Sequence, residues 1–268
     1  MTRSAKPLLY GMLDGKATHI SDVSTDEACG YRCPGCNARL IAKKGKVKQH
    51  HFAHASNADC GMGVETALHY AAKEIIETKK CIYLPPVEVK VPRRGNPSVL
   101  DVLAPEQKYS LDKVVLERRI DSIIPDVIAY IRNRAFAIEI RVSHAVSECK
   151  AAHFQALGLS AIEIDLSNVA RAFTPEMLES FVIGPGKHKS WIFNAAAARR
   201  CEEMLSRGVR RSTVYRGFAC HVDGCPIPAR MWKGRAYANL TDDCFCCKHL
   251  LDFEEDYIIC GVGGLINY

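Results

Sequence analysis

Apolar positions along this chain follow two periods, and the changes from one to the other mark out its elements. Between residues 120 and 150 the sequence reads IDSIIPDVIAYIRNRAFAIEIRVSHAVSECK, with apolar runs at 126–131 and 135–142 parted by a polar turn at 132–134. Runs of that length, rich in Val and Ile and split by a turn, predict a β-hairpin. Period-two alternation puts Phe136, Ile138, Ile140 and Val142 on one face and Ala137, Glu139, Arg141 and Ser143 on the other. With Asn133-Arg134 as a two-residue loop, Asp126 shares the face of Glu139 and Arg141. A slip of one residue would separate the two carboxylates.

Helical spacing governs the stretch 63–80, where Val64, Leu68, Ala71, Ala72, Ile75 and Ile76 form an apolar face. Beside it Glu65, His69 and Lys73, four apart, form a polar stripe. Strands are predicted at Val87–Val91, 99–103 and 114–118, with a loop at 92–97 and a turn at 105–110. Beyond the hairpin come a helix at 147–157, a strand at 161–166 after the break at Gly158, and a helix at Pro175–Ile183. The order of helix, strands, helix, strand, helix predicts an α/β fold with a mixed sheet flanked by helices, containing one right-handed βαβ crossover. A helix at 191–207 follows.

The N-terminal 62 residues carry a different pattern. Apolar segments at 8–13 and 16–20 flank Asp14-Gly15, a hairpin signal. A second hairpin is expected from Leu40–Lys43 and 47–51, around Gly45. The resulting division is a zinc-binding hairpin element at 1–62, a core at 63–185, and a helix with a further zinc-binding element at 186–268.

Composition is that of a globular protein: 48% hydrophobic and 25% charged over 268 residues. It excludes a disordered or fibrous chain. A net charge of +6 suits a polyanionic partner. No apolar run approaches the length of a membrane span, and the first residues lack a signal peptide's apolar core, so a cytoplasmic location is expected. In such a compartment the 13 cysteines stay reduced, and their clustering points to metal.

Cys33 and Cys36 form a CPGC knuckle, and the second hairpin ends in HHFAH. Together Cys33, Cys36, His51 and His54 make a tetrahedral zinc set. His50 competes with His51, and Cys60 or Cys29 are alternative ligands. Lys43, Lys44, Lys46 and Lys48 make this hairpin basic, either as a nucleic-acid contact surface or as a solvated face. A second zinc is expected near the C-terminus on Cys220, Cys225, Cys244 and Cys247, with Cys246, His221, His249 and Cys260 as alternates. Arg199 and Arg200, on the helix before it, are candidates for contact with a nucleic-acid backbone.

On the central hairpin, Asp126 and Glu139 are costly to bury without a cationic partner, and hard carboxylate oxygens suit Mg²⁺ or Mn²⁺. Pro125-Asp126 followed by Glu139-Ile140-Arg141 resembles the PD-(D/E)XK nuclease motif. CPGC with LIAKKGKVKQHHFAH, and the helix ETALHYAAK, resemble the competence protein CoiA-like family, which couples such a nuclease to an N-terminal zinc element. The resemblance implies a restriction-endonuclease-like core that hydrolyses DNA. Asp126, Glu139 and the Ile140 carbonyl would bind the catalytic metal, with an acid from the first helix, Glu65 or else Glu74. It departs from the pattern at Arg141, where the superfamily has Lys. Arginine does not give up its proton near neutral pH, so Arg141 could hold a phosphate or a water but not act as a base, and Lys150 could stand in as a displaced lysine. Glu117 is a further candidate ligand. Two other readings stand beside the nuclease: an inactive nucleic-acid-binding protein on the same scaffold, and a zinc-stabilised protein-interaction module.

Overall fold

The computed structural model describes residues 7–24, 30–56, 60, 62–91, 98–168, 174–227 and 230–263. In chain order its elements are β1 (Tyr10–Leu13), β2 (Lys16–His19), β3 (Leu40–Lys43), β4 (His51–His54), α1 (Gly63–Lys79), β5 (Cys81–Leu84), β6 (Val87–Val91), β7 (Ser98–Ala104), β8 (Gln107–Ser110), β9 (Lys113–Leu116), β10 (Val127–Ile131) and β11 (Arg134–Arg141). These are followed by α2 (Glu148–Ala156), β12 (Ala161–Asp165), α3 (Pro175–Ile183), β13 (Lys189–Phe193), α4 (Ala195–Arg207), β14 (Val209–Arg216), β15 (Ala219–Asp223), β16 (Arg230–Trp232), β17 (Arg235–Asn239), a π-helical turn (Leu240–Cys244), β18 (Leu250–Phe253) and β19 (Tyr257–Cys260). The chain divides into two compact units, Met1–Pro85 with Glu106–Asn194, and Pro86–Pro105 with Ala195–Tyr268.

A five-stranded mixed sheet in the order β13-β12-β11-β10-β9 forms the first unit's centre. Only the β11–β12 pair within it is parallel, and α2 makes the crossover between those strands. Phe136, Ile138 and Ile140 of β11 join a core that includes Ala72 and Ile76 of α1 and Leu178 of α3. Ala137, on the opposite face, packs with Phe154 of α2. Both faces of β11 are therefore covered, which accounts for its nearly unbroken apolar run. Ser147 caps α2 by accepting a hydrogen bond from the Lys150 amide, and Thr174 caps α3, with Pro175 in the first turn.

Several local expectations shift. The hairpin turn is Arg132-Asn133, both at positive φ (48° and 62°), as a two-residue primed turn requires. Moving the turn by one residue moves the register by two, so face membership survives. β4 begins at His51 where a strand at 47–51 was expected, because the Lys-rich stretch stays in the loop. β5 pairs with β8, and Val87–Val91 pairs with β7 rather than opening the central sheet. Residues 191–193 extend an edge strand of that sheet, past the expected boundary at 185, and the helix starts only at Ala195.

In the second unit an antiparallel six-stranded sheet runs β16-β17-β15-β14-β19-β18. Its buried centre is small: Val222, Ala238, Cys244, Leu250, Ile258 and Cys260. No helix among the described residues is long and apolar enough to cross a membrane.

Candidate metal centres

The N-terminal centre starts with the knuckle between β2 and β3. The Cys33 amide donates to the Ala38 carbonyl and the Asn37 amide to the Cys33 carbonyl, each at 2.8 Å, with Asn37 at a φ of 58°. This tight fold turns both thiols the same way. The knuckle sits against the start of α1 because both contact residues lack a side chain. A Cβ on Gly35 would lie 3.0 Å from the Gly63 nitrogen and 3.1 Å from Cys60 Sγ.

Cys33, Cys36, His54 and Cys60 have their ligand atoms all within 4.8 Å of one another, and among the described residues they are the one such group. Three thiols and one imidazole match zinc's preferred donors, and ligands on a tetrahedral zinc stand roughly 3.8 Å apart. Burial pushes the Cys33 thiol up to about 11, so its thiolate needs a cation beside it. The Ala38 amide holds Cys36 below the usual thiol range. The donor set therefore fits structural zinc.

Cys60 takes the place expected for His51. In a strand, residues three apart point to opposite faces, so His51 and His54 cannot both turn toward the knuckle from β4. His51 Nδ1 instead donates to the Gln49 carbonyl at 2.8 Å. That parity was available once HFAH was recognised as a strand. His50 is exposed in the loop, and Cys29 lies outside the described residues.

The second centre lies at the open end of the β10–β11 hairpin. The register pairs Val127 with Ile138, so the next position outward sets Asp126 opposite Glu139. The Ile140 amide donates to Asp126 Oδ2 at 2.8 Å. A strand residue's N–H and C=O lie on one edge, which puts the Ile140 carbonyl on the same side. Lys150 of α2 brings its ammonium 2.7 Å from Glu139 Oε2 and 3.1 Å from the Ile124 carbonyl. Glu139 Oε1 is buried without a hydrogen-bond partner.

The two carboxyls are pushed apart in acidity. Burial, added to by the charge of Asp126, raises Glu139 to about 7 despite the bond from Lys150. Burial also works against ionised Asp126, but the nearby His69 imidazole and a hydrogen bond from the Ile140 amide overcome it and hold that group below the usual range. A carboxyl pair with one orphaned oxygen has the donor chemistry for a hard divalent cation.

The polar stripe of α1 is spent on this centre rather than on solvent. Ser143 donates to Glu65, His69 Nδ1 stands 3.7 Å from Asp126 Oδ2, and Lys73, 5% exposed, pairs with Glu117. Glu74, the alternative acid, accepts instead from the Ala17 amide at 3.1 Å. Arg141 shares Glu139's strand face but turns to β12, 3.7 Å from Glu163 and 3.4 Å from Asp165.

Of the basic candidates, Lys44 is bound to the Val23 carbonyl, whereas Lys43, Lys46 and Lys48 are exposed. Arg200 pairs with Asp101 at 3.1 Å and with Glu203 at 3.5 Å, while Arg199 is exposed.

At the C-terminal cysteines, Cys225, Cys244 and Cys247 line one cavity of about 210 Å³, with Cys260 as the fourth sulfur. Cys220 is not in its wall: it lies on β15, opposite Tyr215. Burial pushes the Cys244 thiol up to about 12.

The cysteine–histidine cluster and the mixed sheet lie within one compact α/β unit. Residues 16–63 match the family model for the competence protein CoiA, N-terminal domain. That match holds all four clustered ligands, supports membership of the competence protein CoiA-like family, and stops before the acidic centre. No curated protein and no solved structure matches the chain.

Proposed function

We propose that the first unit is a metal-dependent deoxyribonuclease of the PD-(D/E)XK type, with a restriction-endonuclease-like core. The observation that carries this reading is the Asp126–Glu139 pair with its orphaned oxygen and the Lys150 ammonium 2.7 Å from Glu139. Helix α1, the β9–β11 strands and the β11–α2–β12 crossover support this reading.

Asp126, Glu139 and the Ile140 carbonyl would hold Mg²⁺ or Mn²⁺. Bound there, the ion supplies charge neutralisation at a phosphate and a lowered pKa for water. His69 and the Ile140 amide keep Asp126 ionised and oriented. Lys150 supplies the cation beside the carboxylates at which charge develops on a scissile phosphate. Glu65, fixed by Ser143, is the acid offered by the first helix. Exposed Lys43, Lys46 and Lys48 would meet the DNA backbone.

Arg141 favours a second reading, an inactive nucleic-acid-binding scaffold, since its guanidinium is engaged by Glu163 and Asp165. Lys150 counters it by placing a lysine where the motif lacks one. The test is cleavage of plasmid and single-stranded DNA with Mg²⁺ or Mn²⁺ by the intact protein and by Asp126→Asn and Glu139→Gln. Metal-dependent cleavage lost in both variants is expected. Equal cleavage by all three would remove the assignment, and DNA binding without cleavage would favour the inactive scaffold.

A further inference from the structure

The second unit's six-stranded sheet closes over a small buried cluster. Two of the six buried residues at its centre, Cys244 and Cys260, are cysteines, and several large side chains of the sheet are exposed, among them Tyr215 on β14 and Met231 and Trp232 on the edge strand β16. Sheets with so small a core usually need a covalent or metal staple.

Four cysteines border one cavity of this unit. Cys225 follows the turn at Gly224, whose φ is 66°. Cys244 and Cys247 share a tight turn closed by the Cys247 amide donating to the Cys244 carbonyl at 3.0 Å. Cys260 ends β19, where the register pairs it with Leu250 of β18 and Val209 of β14. All four line the same cavity of about 210 Å³, among apolar neighbours such as Leu250 and Ile258. Asp243, the acid in its wall, is taken up by Arg230 at 2.7 Å and by the Asn239 amide at 2.7 Å. The other metal-ligating side chains of the wall are thiols, which select zinc over magnesium or calcium.

We propose that Cys225, Cys244, Cys247 and Cys260 form a four-thiolate zinc site that staples the C-terminal sheet. Cys225 Sγ donates to the Ile227 carbonyl at 2.9 Å; zinc binding would replace this bond and draw the four sulfurs, which do not all lie within 4.8 Å of one another, together by side-chain rotation. The site ties three segments remote in sequence: the end of β15, the π-helical turn and the end of β19. Cys220 and exposed Cys246 take no part. Zinc binding here contributes directly to the folding of this unit.

The test is the zinc content of the full-length protein, purified with reductant and measured by native mass spectrometry. Two zinc ions per chain are expected, one for each cluster. Cys225→Ser and Cys260→Ser should each leave one, and Cys220→Ser should leave two. The double variant Cys33→Ser/Cys36→Ser reads the second site alone: X-ray absorption of its remaining zinc should show sulfur donors only. That last measurement holds even if the C-terminal variants fail to fold. One zinc in the intact protein would overturn the proposal. So would loss of zinc in Cys220→Ser with retention in Cys260→Ser, nitrogen in the coordination shell of the double variant, or a disulfide among the four cysteines in place of metal.

Discussion

Lys150 and Glu139 come from different elements, a helix and the strand before it, yet their charged ends meet at 2.7 Å. The side chains are mostly sheltered, 26% and 7% exposed, so the pair is more than a surface contact. On the proposed function, Lys150→Met should slow metal-dependent cleavage by about 10²–10³-fold, the range for losing one charge-stabilising donor. Arg141→Lys alone should change the rate little, and adding it to Lys150→Met should not restore activity, because Glu163 and Asp165 hold that side chain. Single-turnover cleavage rates check all three.

The raised Glu139 has a signed effect on stability. Its folded value, about 7, lies above the 4.5 of a free glutamate, so the native state holds a proton that the unfolded chain releases between those values. The associated stability is fully present below pH ~4.5 and is lost as pH rises through ~7. The full excursion corresponds to about 3 kcal/mol. In buffer without Mg²⁺ or Mn²⁺, the melting temperature of the intact protein should therefore fall relative to that of Glu139→Gln across this window. Added Mg²⁺ should reverse the fall above pH 7, where ionised Glu139 would bind it. Parallel thermal melts over pH give the comparison; curves that stay parallel would contradict it.

At the N-terminal cluster, His51→Ala should keep its zinc, while Cys60→Ser and His54→Ala should lose it or bind it orders of magnitude more weakly. Competition with a zinc chelator, followed by metal analysis, separates them. Retention in Cys60→Ser with loss in His51→Ala would restore the two-cysteine, two-histidine set.

The proposed lysine contacts with DNA would show in salt dependence. Replacing exposed Lys43, Lys46 and Lys48 together with Ala should reduce the slope of log affinity against log salt by roughly 2 to 3. Lys44→Ala should leave it unchanged, since its ammonium serves the Val23 carbonyl. Fluorescence anisotropy titrations at several salt concentrations measure both.

What the sequence disclosed and what it hid have separate physical causes. The hairpin, α1 and the β11–α2–β12 crossover were legible because their periodicity is strong and their covering faces are apolar. The shared face of Asp126 and Glu139 was legible too, because a register error of two leaves faces unchanged. Cys60 and Cys260 were visible only as alternates, since each ligand comes from a segment returning after a loop or a strand, and no local spacing marks it. Residues 191–193 resembled the start of a helix because a three-residue apolar run carries no period, and only the neighbouring β12 makes it a strand. That the stripe Glu65, His69 and Lys73 meets Ser143, Asp126 and Glu117 depends on tertiary placement of α1, which spacing alone does not supply.

The bare contact between Gly35 and Gly63 makes α1 a common axle for two centres. Cys60, three residues ahead of that helix, is tied into the zinc cluster, while His69 and Glu65 on the same helix set the acidic centre. Anything that turns the helix at its first end changes its angular phase at the other. On the proposed function, stripping zinc should thus dim cleavage even at saturating Mg²⁺, and Gly35→Ala, which wedges a methyl between knuckle and helix, should do the same with zinc still bound.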